Sequence, residues 1–179
     1  SIEPVNPGDI VINEIMWSGT SLSVADEWIE LRNTTGRVLD ISNFELTQWD
    51  GLSDVAMVTI PVGKTIAANG YFLISSFTDT ASRLKDGTTV DVVDSGVNLS
   101  DSALSIKLFT AGGITLIDSV GDQSTPYEGI HDTLNGNYYS MERTSIPGDG
   151  TNQLNWYTCI DSASTADFFD NVADERGTP

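Results

Sequence analysis

One cysteine, one histidine and eight basic residues are all that 179 positions hold of three chemically active classes. Cys159 is alone, so no intramolecular disulfide can form, and it is expected as a small buried hydrophobe rather than a nucleophile. His131, followed by Asp132, reads as a surface residue of a loop. One histidine and one cysteine also make a poor zinc donor set. The chain contains no Gly-x-Ser-x-Gly elbow and no Gly-Lys-Ser/Thr phosphate loop. Catalysis is therefore not expected. A carboxylate-pair hydrolase is the enzyme class that the abundance of acids leaves open.

The scarcity of Lys and Arg leaves a net charge of −18, from 26 acidic against 8 basic residues. A nucleic-acid partner is not expected, because phosphate neutralisation needs clustered cations. A solvated acidic surface is the simplest reading; a high-salt habitat or a divalent cation would also suit it. No apolar run approaches the ~20 residues of a membrane-spanning helix, so no span is expected. No charged-then-apolar leader stands at the start, which is the expectation for a processed or leaderless chain.

What the chain does hold is period-two alternation. In Asp26 to Asn33, Ile29 and Leu31 face one way, and Trp28, Glu30 and Arg32 face the other, towards water. In Ile10 to Met16, Ile10, Ile12, Glu14 and Met16 share a face. Further alternating segments follow at Val38–Gln48, Ala56–Ile60, Tyr71–Ser76, Leu104–Leu108, Ile114–Val120, Tyr138–Thr144 and Leu154–Ile160. Ala111-Gly112-Gly113 turns one pair into a hairpin. Polar stretches at 78–96 and 121–136 read as long excursions. Only Ala166 to Val172 reads as a helix, capped by Ser164 or Thr165. The fold class is all-β, an antiparallel sandwich of about eight to ten strands with one short C-terminal helix. Residues 1–8 form an extended arm, 9–160 the sandwich, and 161–179 the helix and tail.

Val11-Ile12-Asn13-Glu14-Ile15 and Glu27-Trp28-Ile29-Glu30-Leu31-Arg32-Asn33 resemble the two opening strands of a lamin-tail domain of the bacterial kind. Val38 to Leu46 is similar to that family's third segment, with Asn43 where glycine is usual. Ile66 to Tyr71 resembles its Ile-x-x-x-Gly-Tyr turn. Leu104 to Val120 resembles its last long hairpin, and Ser140 to Thr144 with Trp156 its closing strands. The resemblance covers roughly residues 9 to 160 and implies an immunoglobulin-like sandwich. It further implies an extracellular or surface module that is not itself a catalyst. The two excursions are longer than the family leads one to expect.

Two candidate sites follow. With Ile12 placed opposite Ile29, Glu14 falls opposite Glu27, and Asp26 with loop carbonyls could complete an oxygen shell for calcium. Bulging, or a partner such as Arg32 or Arg143, is the structural alternative. Trp49, beside Gln48 and Asp50, is placed as an indole on which a sugar ring could stack, and Trp17 could do the same near a strand end. Ordinary packing is the alternative for both, and Trp28 and Trp156 read as structural. Asp167, Asp170, Asp174 and Glu175 read as a solvated helix face and tail. Asn33-Thr34-Thr35 and Asn98-Leu99-Ser100 match the N-glycosylation pattern. The expected function is a secreted or cell-surface interaction or adhesion module, stabilised by calcium, with a protein or surface glycan as partner. Two alternatives stand beside it: a self-assembling subunit that donates Ser1–Gly8 as a strand to another copy, and a carbohydrate-binding module.

Overall fold

The computed structural model describes residues 3–84, 88–159, 166–170 and 172–175, the last two segments by backbone alone. Its strands, in order, are β1 Ile10–Met16, β2 Trp28–Asn33, β3 Leu39–Asp40, β4 Glu45–Trp49, β5 Asp54–Thr59, β6 Thr65–Ile66, β7 Tyr71–Ser75 and β8 Val92–Val93. They continue as β9 Leu104–Phe109, β10 Leu116–Ser124, β11 Ile130–Asp132, β12 Asn137–Tyr139, β13 Met141–Arg143, β14 Trp156–Thr158, β15 Ala166–Asp170 and β16 Val172–Glu175. Ten of them make two sheets, ordered β14-β13-β1-β2-β7-β8 and β10-β9-β4-β5. All pairings in these sheets are antiparallel except β7 with β8. The architecture is the expected immunoglobulin-like sandwich. Its core interleaves Ile12, Ile15, Ile29, Leu31 and Phe72 of the larger sheet with Leu46, Val58, Ile106, Leu108 and Val120 of the smaller.

The predicted helix over Ala166–Val172 is absent. Residues 166–170 form β15 and Val172 opens β16, and the two strands pair antiparallel. Seven residues of helix are marginal in water, and Phe168, Phe169 and Val172 favour extended chain. The expected cap at Ser164 or Thr165 and the last four residues lie outside the described residues.

A second departure from the alternation begins at Asn13. The register pairs Ile12 with Leu31 but Glu14 with Glu30, so Asn13 is the extra residue of a β-bulge. One inserted residue reverses the phase of everything after it. Ile10, Ile12 and Ile15 consequently face the core, whereas Glu14 and Met16 face the other side. Nor does that other side meet water. Leu84 and Val90 of one excursion and Tyr138 beyond the other pack on Met16, Trp28 and Leu73 as a second apolar cluster. Trp28 and Glu30, read as solvent-facing, are fully buried.

Asn43 has φ +60°, which explains why it can stand in place of a glycine: asparagine tolerates the left-handed region better than other side chains. The described part of the N-terminal arm, residues 3–8, lies against its own domain. Arg37 donates to the Glu3 and Pro4 carbonyls and to the Asp9 carboxylate, at 3.3, 2.9 and 2.8 Å.

The two sheets are joined by a buried ion pair. Arg143 of β13 donates to Asp118 of β10 through both terminal nitrogens, at 2.9 and 3.3 Å. Its remaining donors reach the carbonyls of Ile12, Pro147 and Gly148. Its guanidinium lies 5.1 Å from the Trp156 ring centroid. Asp118 also accepts from the Ile12 amide at 2.8 Å. Gly150 must be glycine, because a Cβ there would stand 2.2 Å from the Ser119 carbonyl oxygen and 2.5 Å from the Arg143 guanidinium. Lysine would keep the charge but lose the planar fork, leaving Asp118 and three carbonyls short of donors. Arg143→Lys should cost about 3 kcal/mol or more of stability in urea unfolding; a loss below about 1 kcal/mol would show that the clamp contributes little.

Candidate functional site

The bulge at Asn13 brings acids together on the covered face of the larger sheet. Glu142 pairs with Tyr157, Glu14 with Glu142, and Glu30 with Glu14, so three carboxylates stand side by side on β13, β1 and β2. Such neighbours have Cβ atoms roughly 4.5–5.5 Å apart. Glu14, Glu30 and Glu142 are at most 1% exposed. Ser140 donates to Glu14, and the Asn13 amide nitrogen donates to Glu30 at 3.0 Å. Burial pushes the Glu142 carboxyl above its usual range, against hydrogen bonds from Tyr157 and Cys159 and the charge of Arg32. Cys159 is buried, as expected for a small apolar residue, but its sulfur faces carboxylates.

The three acids read as a calcium shell do not converge. Glu14 stands opposite Glu30, not Glu27, because Ile12 pairs with Leu31 rather than Ile29 and the bulge at Asn13 adds one residue. Asp26 is held by hydroxyl groups of Thr20 and Ser82 and by the Arg83 amide, at 2.7, 2.5 and 2.9 Å. It ties the 18–25 loop to the 78–98 excursion. Glu27 accepts from the Leu99 amide at 2.9 Å. Burial pushes the Glu27 carboxyl up to about 8; the Leu99 hydrogen bond opposes this, and the charges of Asp101 and Asp26 add to it.

Leu99 also lines an open cleft of about 500 Å³, with Gln48, Trp49, Asp50, Gly51, Asn98, Ser100, Ser102 and Ala103. The cleft lies between the β4–β5 turn and the segment entering β9. Trp49 is half-buried and lines the cleft. Asp50 spends one oxygen on the turn, accepting from the Leu52 and Ser53 amides at 2.8 Å each. These bonds hold its carboxyl below the usual range. Trp17 does not line this cleft. Its ring nitrogen donates to the Glu128 carbonyl at 2.8 Å, and its ring centroid lies 6.5 Å from that of His131. His131 in turn lies 5.3 Å from Tyr138. Trp17 thus anchors the 121–136 excursion.

The Asn33 triplet is structural. The Asn33 amide donates to the Arg37 and Ala67 carbonyls and accepts from Thr35, and the residue is 1% exposed. Asn98 is exposed at the rim of the cleft.

The family model of the lamin tail domain matches residues 3–124. The chain belongs to the lamin tail domain family. A comparison with curated proteins finds no match. The family match ends with β10, yet β13 and β14 of this lamin tail domain complete the larger sheet beyond it. Glu142 and Cys159 come from that added part. Among the described residues no helix is long and apolar enough to cross a membrane.

Glu30 was legible as an acid on a strand, but not as a buried one, and Glu142 carried no signal beyond its place in a closing strand. The unusual length of the two excursions was the available clue that something covers the sheet.

Glu27 sets a pH dependence. Its folded-state carboxyl is raised from 4.5 to about 8, so the folded state holds a proton that the unfolded state has released. Its stabilising contribution is whole below pH 4.5 and is lost as pH rises through 8, at about 1.4 kcal/mol per pH unit in that window. Glu27→Gln keeps an acceptor for Leu99 and removes the proton. Its thermal stability should fall less steeply than wild type between pH 5 and pH 8; parallel profiles would rule out this role for Glu27.

Proposed function

We propose that this lamin tail domain is a non-catalytic interaction module, working outside the cell or at its surface, that binds a glycan in the Trp49 cleft. The observation that carries this reading is a half-buried tryptophan, Trp49, lining an open cleft together with Gln48, Asn98, Ser100 and Ser102. An apolar aromatic face with polar groups around it matches a sugar ring, which has an apolar face and a hydroxyl rim. The buried acids of the larger sheet are unsuited to hydrolysis. Glu14, Glu30 and Glu142 are closed off from solvent, and Glu27 is committed to a backbone amide. An acidic surface disfavours polyanions and suits a neutral glycan. The arm expected to join a neighbouring copy is held by Arg37 of its own domain, so strand donation would first have to break those contacts.

The test is a glycan array followed by calorimetry with the best binder. Trp49→Ala should weaken binding at least about tenfold, equivalent to about 1.4 kcal/mol, with an unchanged melting temperature. Binding that survives Trp49→Ala, or no glycan binding by the wild type, would overturn the assignment and favour a protein partner.

A further inference from the structure

We infer that Glu14, Glu142 and Cys159 form a closed binding site for a divalent transition-metal ion of the zinc class. The three residues come from adjacent strands β1 and β13 and from the end of β14. One donor atom from each, two carboxylate oxygens and one sulfur, lies within 4.8 Å of the other two. A tetrahedral ion with bonds of 2.0–2.3 Å needs its ligand atoms roughly 3.3–3.5 Å apart, so the donors need close by at most about 1.5 Å.

The hydrogen-bond accounting of the cluster supplies an independent reason. Two buried acceptors, the Glu142 Oε2 and the Asn13 Oδ1, have no hydrogen-bond partner among the described residues. Both residues are at most 1% exposed, so water does not satisfy them from outside. Asn13 is the bulge residue whose amide nitrogen bonds Glu30, next to Glu14 in the row. A buried acceptor is therefore left over on Glu142 at the cluster, and three formally charged glutamates stand in one row near Arg32. A divalent cation removes both imbalances at once, whereas protons remove only the second.

The donor set selects the metal. A thiolate is a poor ligand for calcium or magnesium, and two carboxylates with one thiolate suit zinc or cobalt(II). The sequence disfavoured zinc because it counted histidine and cysteine only; the fold supplies the missing donors as glutamates. On binding, the Cys159 thiol loses its proton to solvent and sulfur bonds the metal, with no change of oxidation state. The ion would tie β1, β13 and β14 together, so its role is structural. The site is separate from the Trp49 cleft.

Cobalt(II) is the probe. Chelator-treated, reduced protein should take up one equivalent and develop a sulfur-to-cobalt charge-transfer band, which excess zinc abolishes. Zinc should also raise the melting temperature. Cys159→Ser should fold, lose the charge-transfer band and lose most of the zinc-dependent rise. Glu142→Gln should weaken cobalt binding at least tenfold, read by the same band. Absence of the band in the wild type, or an equal zinc-dependent rise in wild type and Cys159→Ser, would overturn the site. So would a thermal response to calcium that zinc does not reproduce. The wild-type cobalt spectrum decides even if a variant fails to fold.

Discussion

A single buried guanidinium, that of Arg143, holds the rest of this sandwich in place. A cation taken out of water is tolerable only when every donor finds an acceptor and a counter-charge stands beside it. Arg143 meets both conditions, through Asp118 and three carbonyls. Those partners lie on β1, on β10 and in the 147–148 turn, so one side chain fixes two sheets and a loop. Burial raises the Asp118 carboxyl even with the Arg143 charge and hydrogen bonds opposing it, which shows how dry the contact is. Because Arg143 also bonds the Ile12 carbonyl, β13 has to lie against β1. Glu142, the residue before it, is thereby set beside Glu14.

The bulge at Asn13 is the second constraint. Without it, Glu14 would face the aliphatic core, where a carboxylate has no partner. With it, Glu14 joins Glu30 and Glu142 on the covered face, where Ser140, Tyr157 and Cys159 supply hydrogen-bonding groups. Leu84 and Val90 of the first excursion and Tyr138 of β12 then close that face over Met16, Trp28 and Leu73. The two long excursions are part of the fold's packing, and Asp26 and Trp17 are the side chains that moor them.

The molecule thus separates its polar resources. The acids of the larger sheet are buried and structural in position. The Trp49 cleft beside the smaller sheet is open, polar at its rim and built on turns. Glu27 connects the two regions: it sits at the start of β2 and holds the Leu99 amide, whose residue lines the cleft. Membership of the lamin tail domain family accounts for the sandwich and does not specify what the cleft receives.

Sequence alone determined the fold class, because period-two alternation between turn residues leaves few architectures open, and the strand pairs from Val11 to Val120 carried the family. It also placed the Ala111–Gly113 turn, the burial of Cys159 and the structural roles of Trp28 and Trp156. Only the tertiary structure decided the register of β1. Alternation has no way to mark a bulge or a pairing offset: Ile12 pairs two residues further along β2 than expected, and the bulge adds one more, so Glu14 meets Glu30 instead of Glu27. Tertiary structure also decided that Trp28 and Glu30 are buried, since a strand's polar face says nothing about what distant loops do with it. The strands at 166–170 and 172–175 replaced an expected helix for a related reason: a seven-residue pattern is too short for periodicity to outweigh local β-propensity. Trp49 and Trp17 looked alike in sequence and differ in the fold, because one edges an open cleft and the other is spent holding a loop.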